Sequence, residues 1–148
     1  MKRIVVVVGV LLLGVGAVMA QQDALKKAQT YMKGNGKNAA ALVAMVKGEK
    51  PYDQATVNTA FAQFEDTAKA LPTLFPESIK GLKTDGDYNA SPKIWEDKAG
   101  FSEHIASFSK AVSEAKPQIK DLDSLKAAFP AVGKQCGGCH ETFRIKKS

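Results

Sequence analysis

The chain contains two cysteines, three residues apart in Cys136-Gly137-Gly138-Cys139, and His140 follows the second directly. On a helix this spacing puts both thiols on one face, and the imidazole beside them adds a nitrogen donor. C-x-x-C-H is the signature of covalent haem attachment. Each thiol adds to one vinyl group, and the histidine is carried under the ring as proximal iron ligand. The competing chemistries lack partners. A structural zinc site needs about four ligands, usually two Cys/His pairs, and His104 is the only other histidine. A redox dithiol belongs beside a βαβ pattern, which is missing, and a simple disulfide gives no reason for His140 to follow Cys139. The expectation is one haem c per chain, bound by Cys136 and Cys139, with His140 on the iron.

The elements that must position this group read as four helices, because apolar residues recur at alternating three- and four-residue spacing four times. The first segment runs from about Gln22 to Lys47 with Leu25, Met32, Ala39, Leu42 and Val46 on its stripe. The second follows Pro51-Tyr52 with Asp53 as N-cap. It carries Val57, Phe61, Phe64, Ala68 and Leu71, and stops near Pro72 and Pro76. The third opens at Ser91-Pro92, a cap followed by proline at the first helical position, and continues through Phe101, Ile105, Phe108, Val112 and Ala115 to Pro117. The fourth begins at Asp121 and reads Leu122, Leu125, Phe129, Val132, Cys136, Cys139, Phe143, so both thiols fall on the core stripe. Pro130 should break or kink it. Strand signals are absent, and the one long linker is 77–90. Short connections elsewhere predict an all-α, antiparallel up-down-up-down four-helix bundle.

That topology constrains the second face of the haem. With the first and fourth helices as antiparallel neighbours, His140 lies about 10 Å from one end of the bundle and Met32 about 15 Å. Met45 lies about 20 Å further along the first helix, a core residue at the far end. Met32 is therefore the thioether at a depth to face His140, although a methionine on an apolar stripe can equally be core filling. Gly34 and Gly36 follow it, and Gly36 at i+4 would let the backbone approach a flat ring. His104 is a second candidate sixth ligand, but it stands off the Phe101–Ile105 stripe, in a flanking or exposed position. Arg144, one turn after His140, either covers the imidazole or reaches a propionate, or is a solvated cation at a helix C-terminus.

Residues Met1 to Ala20 read as an export leader: Lys2 and Arg3, the apolar stretch Ile4 to Val18, and a small-residue site ending at Ala20. The apolar run is shorter than the ~20 residues of a bilayer span, which disfavours an uncleaved anchor. The expectation is periplasmic export, cleavage after Ala20, and a mature domain at 21–148 with no stable membrane insertion. An oxidising compartment suits thiols that are captured as thioethers. The 148-residue chain carries a net charge of +6, falling to +4 without Lys2 and Arg3. So mild an excess, with no aromatic-basic motif, does not argue for a nucleic-acid partner, and none is expected. Lys26, Lys27, Lys33 and Lys37 gather with Arg144, Lys146 and Lys147 at the haem end, a rim suited to an acidic redox partner. Trp95 is a core or interface aromatic.

The terminal C-x-x-C-H, the four helices and the leader together resemble class II cytochromes c, the cytochrome c′ fold, over 21–148. The landmarks are Gly48-Glu49-Lys50-Pro51-Tyr52-Asp53, Pro92-Lys93-Ile94-Trp95 and Cys136 to Arg144. Most members of that family leave the distal side open over a high-spin iron that binds small gases, whereas the low-spin branch typified by cytochrome c-556 places a first-helix methionine on the iron. Gln29-Thr30-Tyr31-Met32-Lys33-Gly34-Asn35-Gly36 resembles the low-spin branch. Ala28 stands where gas-binding members often have an arginine. The resemblance implies Met32 as distal ligand, a non-enzymatic electron carrier, and homodimers formed through the first two helices. The alternative is a high-spin module that binds nitric oxide or carbon monoxide. A peroxidase is disfavoured, since His104 is the only free histidine and no carboxylate lies one turn from Met32.

Overall fold

Asp53 and Asp121 each start a helix by turning a carboxylate onto backbone donors that would otherwise be unpaired. Asp53 accepts from the Thr56 N–H at 2.8 Å. Asp121 accepts from the Ser124 N–H at 2.8 Å while the Asp121 N–H donates to Ser124 Oγ at 3.0 Å, a reciprocal capping box. These bonds, to the side chain and then the backbone of Thr56 and of Ser124, hold both carboxyls below the usual carboxylate range.

The structure is a computed structural model that describes residues 2–147, with side chains for 18–147. Its long helices are α1 (Lys2–Val46), α2 (Gln54–Leu74), α4 (Lys98–Ala115) and α5 (Leu122–Phe143), with a short α3 (Lys93–Glu96) before α4. Each long helix packs on the next, and α5 closes the ring on α1, giving the expected up-down-up-down bundle. The α1–α2 turn is closed by Gly48, whose φ of +76° is the left-handed value that ends a helix most cheaply in glycine. The stripes bury as their spacing requires: Leu42, Val57, Phe61, Phe64, Val112, Leu125 and Val132 are at most 2 % exposed. Removing either Phe61 or Phe64 to alanine would cost about 3–5 kcal/mol. Edge-to-face contacts run from Phe61 through Phe64 to Phe108, and from Phe75 through Phe101 to Phe143, tying α2, α4 and α5 together. Trp95 is buried, and its Nε1–H donates to the Phe75 carbonyl at 3.0 Å.

Four expectations about the elements are corrected. The third segment is two helices, because Asp97 (φ −119°, ψ 66°) leaves helical geometry to accept from the Gly100 N–H at 2.9 Å. Its first helical residue is Lys93, one later than expected. α2 passes through Pro72 and ends at Leu74, between Pro72 and Pro76 as expected. α5 is not broken at Pro130: that residue and Lys126, whose carbonyl loses its donor, both lie on the solvent side. Strands are present: β1 (Tyr88–Ala90) in the long linker pairs antiparallel with β2 (Arg144–Lys146), Asn89 opposite Ile145. Three residues are too few to give a periodic strand signal. The expected leader falls largely outside the residues whose side chains are described, and α1 has no break at residue 20. Among the described residues, no helix is long and apolar enough to cross a membrane.

Candidate haem site

The capping box fixes where α5 begins, and Leu125, Phe129 and Val132 face it into the bundle, so the register of its last two turns is set before the cysteines are reached. Cys136 and Cys139 follow on the same stripe as free thiols, half-buried and packed against the core. Burial pushes the Cys136 thiol up; burial first, and then Cys136, pushes Cys139 up to about 11. Both shifts favour the protonated thiol, the form that an apolar, half-buried position stabilises. Among the described residues, no group of three His, Cys, Asp or Glu side chains could hold a metal ion by itself.

His140 is half-buried. Burial, followed by the charge of Arg144, moves its imidazole below the usual histidine range and favours the neutral, lone-pair-bearing form that a metal ligand requires. Two neutral thiols on one face with a neutral imidazole adjoining them are a donor set that fits a covalently held haem.

The other candidates are placed as follows. Met32 lies on α1, half-buried against the core, and Met45 is 3 % exposed, as expected for a core residue. Helices α1 and α5 are direct neighbours. Ala28 is buried. His104 is half-buried on α4, its ring 5.5 Å from that of Phe143. A Cβ on Gly138 would come 3.7 Å from His104 Cε1. Gly138 is thus the place where α4 meets α5 inside the C-x-x-C-H motif. Arg144 is exposed just beyond α5, and its guanidinium carbon sits 4.0 Å from the centre of the Tyr88 ring.

Two features were not read from the sequence. The β1–β2 clasp joins the linker to the end of the haem-bearing helix: the Ser91 N–H donates to the Phe143 carbonyl, the Lys147 N–H to Asp87, and Lys147 Nζ to the Thr84 carbonyl. Its three-residue strands leave no periodic signal in the sequence. The second is the part played by Gly34, which serves the α1–α2 contact. A Cβ there would come 3.0 Å from the Gln63 side chain, whereas a Cβ on Gly36 would meet no protein atom within 4 Å. Lys26, Lys27, Lys33, Lys37 and Lys146 are exposed.

Comparison with known proteins agrees with this arrangement. The family model described as Cytochrome C′ matches residues 23–144. Cytochrome c-556 of Rhodopseudomonas palustris is 57 % identical over 148 residues, covering 99 % of both chains. An NMR-validated structural model of oxidised R. palustris cytochrome c556 superposes with a TM-score of 0.76 at 56 % identity, covering 86 % of this chain and 99 % of that one. A ferrous variant of cytochrome c prime from Alcaligenes xylosoxidans with bound nitric oxide gives a TM-score of 0.72 at 29 % identity, covering 86 % and 97 %.

Proposed function

The chain belongs to the cytochrome c′ family, whose members hold covalently attached haem c and transfer electrons, and we propose that it is the low-spin, periplasmic carrier of that family. In this reading Cys136 and Cys139 form the thioethers, and His140 and Met32 are the two axial ligands. When bound, the haem supplies a one-electron ferric/ferrous couple. The protein's residues do the rest. His140 is carried on α5 at a fixed offset from the thioether anchors, so its ring cannot drift from the iron. Met32 on α1 offers a soft donor, which favours the ferrous state and raises the potential. Phe101 and His104 pack edge-to-face on Phe143 one turn beyond His140, and these contacts would limit access of water to the histidine's side of the haem. Arg144 stands at the edge of the site, and the exposed lysines form a rim that attracts an acidic redox partner. The leader directs export and is removed after Ala20, and the exposed faces of α1 and α2 are where two copies would associate.

The observation that carries the proposal is the half-buried Met32 on the helix adjoining α5, within a chain 57 % identical to a cytochrome c-556. Absorption spectra of the oxidised and reduced protein, with and without carbon monoxide, test it. Low-spin bands in both states and slow uptake of carbon monoxide are expected. A high-spin spectrum would establish the second reading, a gas-binding module, which the nitric-oxide-bound relative favours. Acid-acetone extraction followed by intact mass measurement tests the thioethers: release of haem from an unmodified polypeptide would overturn them.

A further inference from the structure

Thr67 is completely buried on α2, one of two buried polar side chains among the described residues. Its hydroxyl lies 2.8 Å from Asn35 Oδ1 on α1 and 2.9 Å from the Gln63 carbonyl of its own helix, and it accepts from Gln63 Nε2 at 3.1 Å. The same Gln63 side chain lies against Gly34, where a Cβ would come within 3.0 Å of it, so the α1 backbone is close to this network. Asn38 Nδ2 donates to the Gly34 carbonyl at 2.9 Å and closes the α1 side.

Elsewhere α1 meets its neighbours through an apolar stripe, and apolar contact is non-directional, so it resists a small slide or rotation of one helix on another only weakly. A hydrogen bond in a dry interface has a definite geometry and is costly to leave unmade. Asn35 lies three residues beyond Met32, about 4.5 Å along the helix axis. Whatever fixes the depth and rotation of α1 at Asn35 fixes them at Met32.

We propose that Thr67 is a positioning residue for Met32: its hydrogen bond to Asn35 sets the register of α1 so that the thioether is held at the iron. The proposal rests on Met32 being the distal ligand, and Met32→Ala in the same holoprotein tests that premise separately. The test is the rate at which the ferrous protein traps carbon monoxide, which is governed by departure of the thioether, read beside the sulfur-to-ferric charge-transfer band. Thr67→Val, nearly the same shape without the hydroxyl, should trap carbon monoxide about fivefold faster, as expected from the loss of one buried hydrogen bond. Thr67→Ser should behave as wild type. If Thr67→Val lowers only the melting temperature and leaves trapping and the charge-transfer band unchanged, the hydroxyl merely stabilises the bundle and the proposal fails while the ligand assignment stands. It fails equally if Thr67→Ser is as fast as Thr67→Val, since packing and not the hydrogen bond would then be responsible. A Met32→Ala protein that stays low-spin removes the ligand assignment and the proposal together. Should Thr67→Val not fold, Asn35→Ala removes the same bond from the other helix and is judged by the same outcomes.

Discussion

Met32 and Met45 are chemically alike and differ in place, which makes them a matched pair of probes. Met32 is half-buried on α1 beside α5, and Met45 is 3 % exposed near the other end of the same helix. Met32→Ala leaves an apolar gap with no donor atom. The iron should become high-spin, carbon monoxide should bind readily, and the potential should fall with loss of the soft ligand. Met45→Ala should leave the spectrum intact and lower unfolding stability by about 2–5 kcal/mol, the usual cost of a buried cavity, measurable by denaturant titration. A spectrum governed by Met45 would reverse the ligand assignment. At this scale the sequence was most informative where chemistry demands adjacency: Cys136, Cys139 and His140 are tied by covalent spacing alone. It was less informative for His104 and Arg144, because the contacts that occupy them, Phe143 with Gly138 and Tyr88, arise from other segments of the chain.

Helix ends and strands bring in local geometry that spacing cannot express. The long stripes were legible because burial repeats every three or four residues, and Asp53 as a cap and Asp121 as the start of the fourth helix were legible because they stand immediately before such a stripe. The break at Asp97 was not, since it depends on one side chain turning back to Gly100 inside an otherwise helical pattern. Nor was the β1–β2 clasp, whose partners are more than fifty residues apart. The caps predict a pH effect of definite sign. Asp53 and Asp121 have lowered pKa values in the folded protein, so their contribution to stability is present above the unfolded carboxylate pKa and is lost as pH falls through the folded value. Thermal melts taken downward from about pH 5 should therefore decline, and Asp53→Asn with Asp121→Asn, which keep a capping oxygen that does not titrate, should flatten the decline. An unchanged pH profile in that double variant would show that other carboxylates control acid unfolding. The clasp gives a second prediction: Tyr88→Ala removes the surface under Arg144, worth about 0.5–1 kcal/mol, and amide exchange across 144–147 should accelerate while the interior of α5 remains protected.

For the whole molecule, charge placement matters more than net charge. The full chain carries +6, but two of its cations, Lys2 and Arg3, lie at its N-terminus, and the exposed Lys26, Lys27, Lys33 and Lys37 are grouped on one stretch of α1, with Lys146 on β2. A field concentrated beside a redox centre changes encounter rates with small reagents according to their sign, and salt screens it over about 8 Å at physiological ionic strength. If the rim borders the haem edge, oxidation of the reduced protein by an anionic iron complex should slow as salt rises, by about tenfold between low and physiological ionic strength, while a cationic cobalt complex should speed up. Stopped-flow measurements with both reagents separate this from a change in the protein itself, because a structural effect of salt would move both rates in one direction. Lys33→Glu with Lys37→Glu should reduce the slope for the anionic reagent, whereas Lys110→Glu and Lys126→Glu, on α4 and α5 near their other ends, should leave it nearly unchanged. Equal slopes for the two variants would mean that the molecule responds only through its total charge, and the lysines of α1 would then have no special part in bringing a partner to the electron.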